Sequence, residues 1–254
     1  MNFEIEGRVG IVAGADGDIG RAVAKYLAHQ GAHLGLLGRP GSDVEEYASS
    51  LQRDDLSIMG YEVDFHDPRS IEGVVGAASD ALGGRLDFLV NNLVIEDKDD
   101  FLHVSVASWD RQFEYMARAP FFLSQAAAPS LQRDSGTMPA IINIGSVAGI
   151  VFWPRTAAYN AARGALIATT GTLAVDLAPL GIRVNGIAAG HVETEMEAEN
   201  LADPADRART IQEVPIGRLG LPDEVAAVAM FLISQASSYV LGQTLVVDGG
   251  YTLR

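Results

Sequence analysis

Residues 140–168 read AIINIGSVAGIVFWPRTAAYNAARGALIA, and their interpretation decides the fold. Ile141 to Gly145 is an apolar run closing on small residues, the form of a buried strand. It delivers Ser146 into a loop. After Pro154 the pattern turns helical, and Tyr159 and Arg163, four residues apart, fall one above the other on a single helix face. A hydroxyl, a phenol and a fixed cation gathered in one cleft can move a proton to or from an oxygen. A neighbouring cation favours the ionised form of a phenol, and a serine hydroxyl can hold the substrate oxygen.

Working outward, the chain alternates strand and helix, the pattern of a parallel sheet covered on both faces. Strands are predicted at Arg8 to Ala13, Ala32 to Leu37, Leu56 to Val63, Leu86 to Val90, Ile182 to Ala188 and Thr244 to Val247. With the strand before Ser146 they make seven. Helices are predicted from Ile19 to Gln30, Val44 to Arg53, Ile71 to Leu82, Ser108 to Arg133 (kinked at Pro120), Tyr159 to about Leu177, and Pro222 to Ser234. His191 to Pro215 is polar, acidic and without steady period, and reads as a mobile segment near 191–215 over a cleft. No repeat or composition break divides the chain. The expectation is one α/β domain over residues 1–254, a Rossmann-like doubly wound parallel sheet of seven strands with helices on both faces.

Between the first strand and the first helix lies AGADGDIG, residues 13–20. A strand, a glycine turn and a helix let backbone N–H groups and the helix N-terminus hold a pyrophosphate. Gly14, Asp16, Gly17, Asp18, Ile19 and Gly20 are therefore candidate cofactor contacts. An acid facing a pyrophosphate would repel it, so Asp18 reads instead as the cap of the helix opening at Ile19. Cofactor choice falls about 20 residues past the turn, where an acid would bind a ribose 2′-hydroxyl. That place is Gly38, followed by Arg39, whose guanidinium suits a 2′-phosphate. NADP(H) is preferred, with NAD(H) possible.

Bulk properties narrow the partners. At 254 residues with 48% hydrophobic and 20% charged side chains, the composition is that of a globular domain. A formal charge of −15 argues against nucleic acid. The absence of cysteine removes disulfides and thiol catalysis. The acidic N-terminus lacks a signal-peptide core and no apolar run reaches spanning length, so a cytoplasmic chain with no membrane partner is expected. No metal is expected.

Ser146 and Tyr159, thirteen residues apart (159 − 146), followed by a cation at the fourth step, resemble the short-chain dehydrogenase/reductase family. The resemblance runs from Gly7 to Thr252. It implies catalytic roles for Ser146, Tyr159 and Arg163, the last in the place of the family's lysine. It implies further cofactor contacts at Asp64, Phe65, Asn91, Leu93, Val192 and Thr194, and at Tyr159 and Arg163 themselves. The C-terminal GQTLVVDGGYT, similar to the family's last strand, implies a homo-oligomer, tetramer or dimer.

Several positions depart from the family pattern. Leu93 and Val94 replace a small pair beside the nicotinamide ribose and are expected to narrow the cleft or shift its loop. Met116 replaces an asparagine that holds a relay water, and reads as a core filler. Ala189-Gly190 stands for the usual Pro-Gly. Arginine retains a charge and five donors but cannot pass a proton on.

The leading expectation is an NADP(H)-dependent oxidoreductase interconverting a carbonyl and a secondary alcohol on a small, apolar substrate. The mouth is expected from Leu93 to Asp97, Ile150 to Thr156 and His191 to Leu201, with Phe152 and Trp153 hinting at an apolar or aromatic ligand. The alternatives are a non-redox enzyme (dehydratase, cyclase or isomerase) and a cofactor-binding pseudo-enzyme.

Overall fold

The computed structural model describes residues 3–131 and 138–253. Among them, seven strands form one all-parallel sheet in the order β3-β2-β1-β4-β5-β6-β7. They are β1 (Val9–Ala13), β2 (His33–Gly38), β3 (Ile58–Glu62), β4 (Phe88–Asn91), β5 (Ala140–Ser146), β6 (Arg183–Ala189) and β7 (Thr244–Val247). The order reverses between β1 and β4, where Ala13 pairs with Asn91. In open α/β sheets the crevice beyond the strand ends at such a switch point is where ligands sit.

The central strands are apolar because both of their faces are covered. Along β5, Ala140, Ile142 and Ile144 point into one core and Ile141 into the other, the two-residue period of a strand. The first core takes α1 (Asp18–His29), α2 (Val44–Ser50) and α9 (Pro222–Ile233). The second takes α3 (Pro68–Ala81), α5 (Ala119–Ala127) and α6 (Ala157–Leu177). On α6, Ala158, Tyr159, Ala162, Arg163, Leu166, Thr170, Leu173 and Ala174 are buried, at the three- and four-residue steps of a single helix face.

Two expectations about the elements are corrected. The helix predicted from Ser108 to Arg133 is α4 (Val106–Phe113), a π-helical turn over Glu114–Arg118, and then α5. Its last two predicted residues lie outside the described residues. Pro120 has no N–H for the carbonyl of Met116, and its ring crowds that carbonyl. The chain widens by one residue there, and Ala119 N–H reaches back to the Glu114 carbonyl. The second correction concerns 191–215, which is not irregular but carries α7 (Glu195–Asn200) and α8 (Pro204–Glu213). Both are capped by their own sequence. Thr194 Oγ1 accepts from Glu197 N–H, and Asp203 accepts from Ala205 N–H with Pro204 at the first helical position.

Beneath the crevice a buried polar chain joins three elements. Asn91 Nδ2 donates to Asn143 Oδ1 at 2.8 Å, and Asn143 Nδ2 donates to Thr170 Oγ1 at 2.9 Å, tying β4 to β5 and β5 to α6. All three residues are buried. Replacing Asn143 with Ala removes the shortest of the Asn91 amide's three acceptors, leaving the Pro120 carbonyl and the Ser124 hydroxyl at 3.4 Å each. A weakened buried hydrogen bond of this kind costs about 1 kcal/mol. Urea denaturation of Asn143→Ala should show that loss as a lower midpoint; an unchanged midpoint would show that the chain is not stabilising.

Candidate active site

A cleft of about 1060 Å³ opens over the strand ends at the switch point, bounded on one side by the turn after β1 and on the other by α7. Its size is that of a site for a large organic ligand. Ser146, the last residue of β5, lines it together with Tyr159 and Arg163 from α6. Ser146 Oγ accepts from Ala148 N–H at 3.1 Å, which leaves its own O–H free to donate toward the cleft.

Arg163 is only 3% exposed. Its guanidinium carbon stands 5.1 Å from the centre of the Tyr159 ring, a cation–π contact between the two residues predicted to share a face. Nη1 donates to the Leu93 carbonyl at 3.0 Å, while Nε is buried with no partner among the described residues. Among the described residues no carboxylate pairs with this cation within ion-pair distance. An unpaired buried donor on a cleft-lining residue is the kind of group a ligand hydroxyl satisfies.

The turn after β1 is held by close backbone approach. A Cβ on Gly14, at φ +77°, would lie 2.1 Å from the Asn92 carbonyl oxygen, and one on Gly20 would lie 2.0 Å from the Gly14 oxygen. These two glycines build the turn from behind; Asp16, Gly17, Asp18 and Ile19 face the cleft. Gly17 is the N-cap of α1 and supplies no side-chain bond. The predicted capping by Asp18 is therefore corrected: Asp18 is the first helical residue, and its carboxylate points outward to accept from Glu195 N–H of α7 at 2.7 Å. A side chain inside the first turn cannot fold back on that turn's own amides as an N-cap residue does.

Arg39 is exposed at the far end of the cleft, where Asp16 holds it through Nε at 2.5 Å. That bond keeps the guanidinium protonated above its already high pKa. Asp64 and Phe65 line the same end, and Asp64 Oδ1 accepts from His66 N–H at 2.9 Å. Tyr115 also faces this end and escaped the sequence reading, which treats its helix as scaffold. Burial, with Asp16 adding to it, pushes its phenol far above the ordinary value, so it is a neutral hydroxyl whose ring packs edge-on against Phe65.

Of the other predicted contacts, Val192 and Thr194 line the cleft, whereas Asn91 and Leu93 lie behind its wall. Asn91 belongs to the polar chain below. The Leu93 side chain is 2% exposed and packed in the second core, so of the pair expected to narrow the cleft Leu93 is turned away from it and Val94 lines it. Met116 is fully buried in that same core. The expected mouth is also revised on one side, because residues 150–156 do not line the cleft. Phe152 is exposed, and Trp153 donates to the Tyr251 hydroxyl at 2.9 Å and packs on the ring of His191. His191 in turn bonds Glu197 of α7 at 2.5 Å.

Among the described residues no cluster of three or more His, Cys, Asp or Glu could hold a metal ion, and no helix is long and apolar enough to cross a membrane.

Comparison with known proteins follows the same lines. A family model described as Enoyl-(Acyl carrier protein) reductase matches residues 13–252. The 3-oxoacyl-(acyl-carrier-protein) reductase FabG of Vibrio cholerae is 35% identical, with 98% of each chain covered. The 2-(S)-hydroxypropyl-CoM dehydrogenase 3 of Xanthobacter autotrophicus is 32% identical over 99% of both chains. A crystal structure of a short-chain dehydrogenase/reductase of the glucose/ribitol dehydrogenase kind from Brucella melitensis superposes with a TM-score of 0.91 at 33% identity, covering 99% of each chain. With Ser146, Tyr159 and Arg163 set on one cleft at the sheet's switch point, the chain belongs to the short-chain dehydrogenase/reductase family of oxidoreductases.

Proposed function

We propose that this chain is an NADP(H)-dependent oxidoreductase interconverting a carbonyl and a secondary alcohol on a small, apolar substrate. The observation that carries the reading is the buried Arg163 cation against the Tyr159 ring, opening onto the cleft that Ser146 also lines. The residues present fit a dinucleotide. The first N–H groups of α1 have no side-chain cap, the Arg163 Nε has no partner, and Arg39 is bound through Nε alone, leaving the outer edge of its guanidinium exposed. Gly38 puts no carboxylate against a 2′-phosphate, and Arg39 suits one.

The bound nicotinamide supplies or accepts the hydride. Ser146 donates its hydroxyl to the substrate oxygen, since Oγ already accepts from Ala148. Tyr159 gives its proton to that oxygen in reduction and takes it back in oxidation. Arg163 opposes the negative charge that develops on the phenol oxygen, as a fixed cation in a water-poor site does efficiently. Its unpartnered Nε would be the donor to a ribose hydroxyl. Because a guanidinium does not release its proton, and the buried Met116 cannot hold a relay water, Tyr159 has to exchange its proton directly with solvent along the cleft; a ribose hydroxyl of the cofactor would be the alternative carrier. Val94, Ile95, Val192 and Met196 give the substrate end of the cleft an apolar lining.

The non-redox alternative draws on the altered residues Leu93, Val94 and Ala189; Leu93 is in the core, whereas Val94 and Ala189 line the cleft, and turnover without any nicotinamide is the outcome that would favour it. The outer edge of β7 is unpaired in the single chain, and Val246 on it is exposed together with Val175 on α6 and Phe121 on α5, which supports a homo-oligomer, dimer or tetramer. We place the protein in the cytoplasm, with no nucleic-acid or membrane partner.

Replacing Tyr159 with Phe should lower kcat for NADPH-linked carbonyl reduction by about 10³-fold, the scale of a lost general acid. NADPH titration by fluorescence should be nearly unchanged in the same variant. Retention of the rate would remove Tyr159 from the chemistry, and a broad carbonyl panel left inert by a chain that binds NADPH would end the redox reading. Replacing Arg39 with Ala should weaken NADPH by about tenfold or more and leave NADH close to wild type, as expected for one charge-assisted phosphate contact. Equal losses for both dinucleotides would assign Arg39 no part in the choice.

A further inference from the structure

Asp18 stands where a carboxylate is least expected. It opens α1, a helix of twelve residues whose N-terminal N–H groups face the cleft, with a glycine as N-cap and no side-chain bond to them. The positive end of such a helix attracts an anion. Asp18 is the anion built into the chain, yet it does not cap its own helix. Its Oδ2 accepts from Glu195 N–H at 2.7 Å, 177 residues away at the first residue of α7. No cation among the described residues lies within ion-pair distance of it, and Arg21, one turn further along α1, is engaged by Asp43. No ion pair among the described residues offsets the carboxylate, which stands beside the place where a dinucleotide's phosphates would lie.

The contact has a second consequence. α7 contributes Glu195, Met196, Glu197 and Glu199 to the cleft wall. It is held to the body of the protein by Glu197 bonding His191, by Asn200 bonded to Glu96 and Lys98 at its C-terminal end, and by Asp18 at its first residue. Release of the Asp18 contact would free the N-terminal end of α7 and leave the other attachments in place.

We propose that Asp18 is an affinity-setting residue of the cofactor site: an internal competitor that must give way to the diphosphate, and in doing so unlatches the start of α7. This rests on the dinucleotide reading above. Cofactor entry then brings a second anion against a carboxylate that already stands beside the mouth of α1. The segment 195–200 is tighter before the cofactor arrives than it would be with glycine at position 18.

NADPH titration by fluorescence and hydrogen–deuterium exchange of the cofactor-free protein, on wild type, Asp18→Gly and Asp18→Asn, test this directly. Asp18→Gly should bind NADPH about tenfold more tightly, the scale of one partly screened charge removed from beside an anion. Its peptide spanning 195–200 should exchange faster. Asp18→Asn retains an acceptor oxygen for Glu195 N–H but loses the charge, so it should gain affinity with exchange close to wild type. A wild-type chain that binds NADPH, with Asp18→Gly binding no more tightly, overturns the competition. Unchanged exchange in Asp18→Gly overturns the latch. Binding of neither NADPH nor NADH by any of the three chains, each folded by circular dichroism, is a different failure. It refutes the cofactor reading, and the competition falls with it.

Discussion

The site depends on a polar contact that never reaches it. Asn91, Asn143 and Thr170 are buried in a core that offers few other partners, and each must find its hydrogen bond within the protein. Apolar packing alone would let α6 slide or rotate against the sheet at modest cost. The amide-to-hydroxyl contact does not, because a shift of one residue would carry Thr170 off the face that meets β5. Two to three turns toward the N-terminus on the same face stand Arg163 and Tyr159. Their position over the strand ends is inherited from a bond made deep beneath them.

Above that foundation the cleft is a place of managed charge. Most of its arginines already have carboxylate partners: Arg21 with Asp43, Arg39 with Asp16, Arg111 with Asp97. Exposed pairs of this kind add little to stability, and their effect here is to hold side chains in place. Arg163 differs in kind, a buried cation whose contacts are a backbone carbonyl and an aromatic face. Neither neutralises it. Its charge is therefore available to whatever negative charge forms nearby, which is the condition electrostatic catalysis needs.

Much of this is legible in the sequence, because it is local. Alternating runs of buried residues give the strands, and β7 spans the four residues its apolar run suggests. The four-residue step from Tyr159 to Arg163 gives their shared face. What escapes is non-local or depends on a departure from ordinary helix geometry. No pattern in residues 13–20 reveals that Asp18 meets an amide 177 residues on. The π-helical turn before Pro120 arises from a steric conflict that sequence locates but whose resolution, kink or widening, is decided by packing. α7 and α8 are polar on most of their surface, so they lack the apolar period by which helices are recognised. Tyr115 looks like one more core aromatic until the fold turns its helix toward the cleft.

The bond from Arg163 to the Leu93 carbonyl makes residue 163 and the loop after β4 one mechanical unit. A guanidinium spreads five N–H donors over three nitrogens, so one edge can serve a backbone oxygen while another faces a ligand; an ammonium gathers its three donors at one point. The path of the loop after β4 therefore decides where the cation at 163 is seated, and a substitution that displaces that loop carries the charge away with it.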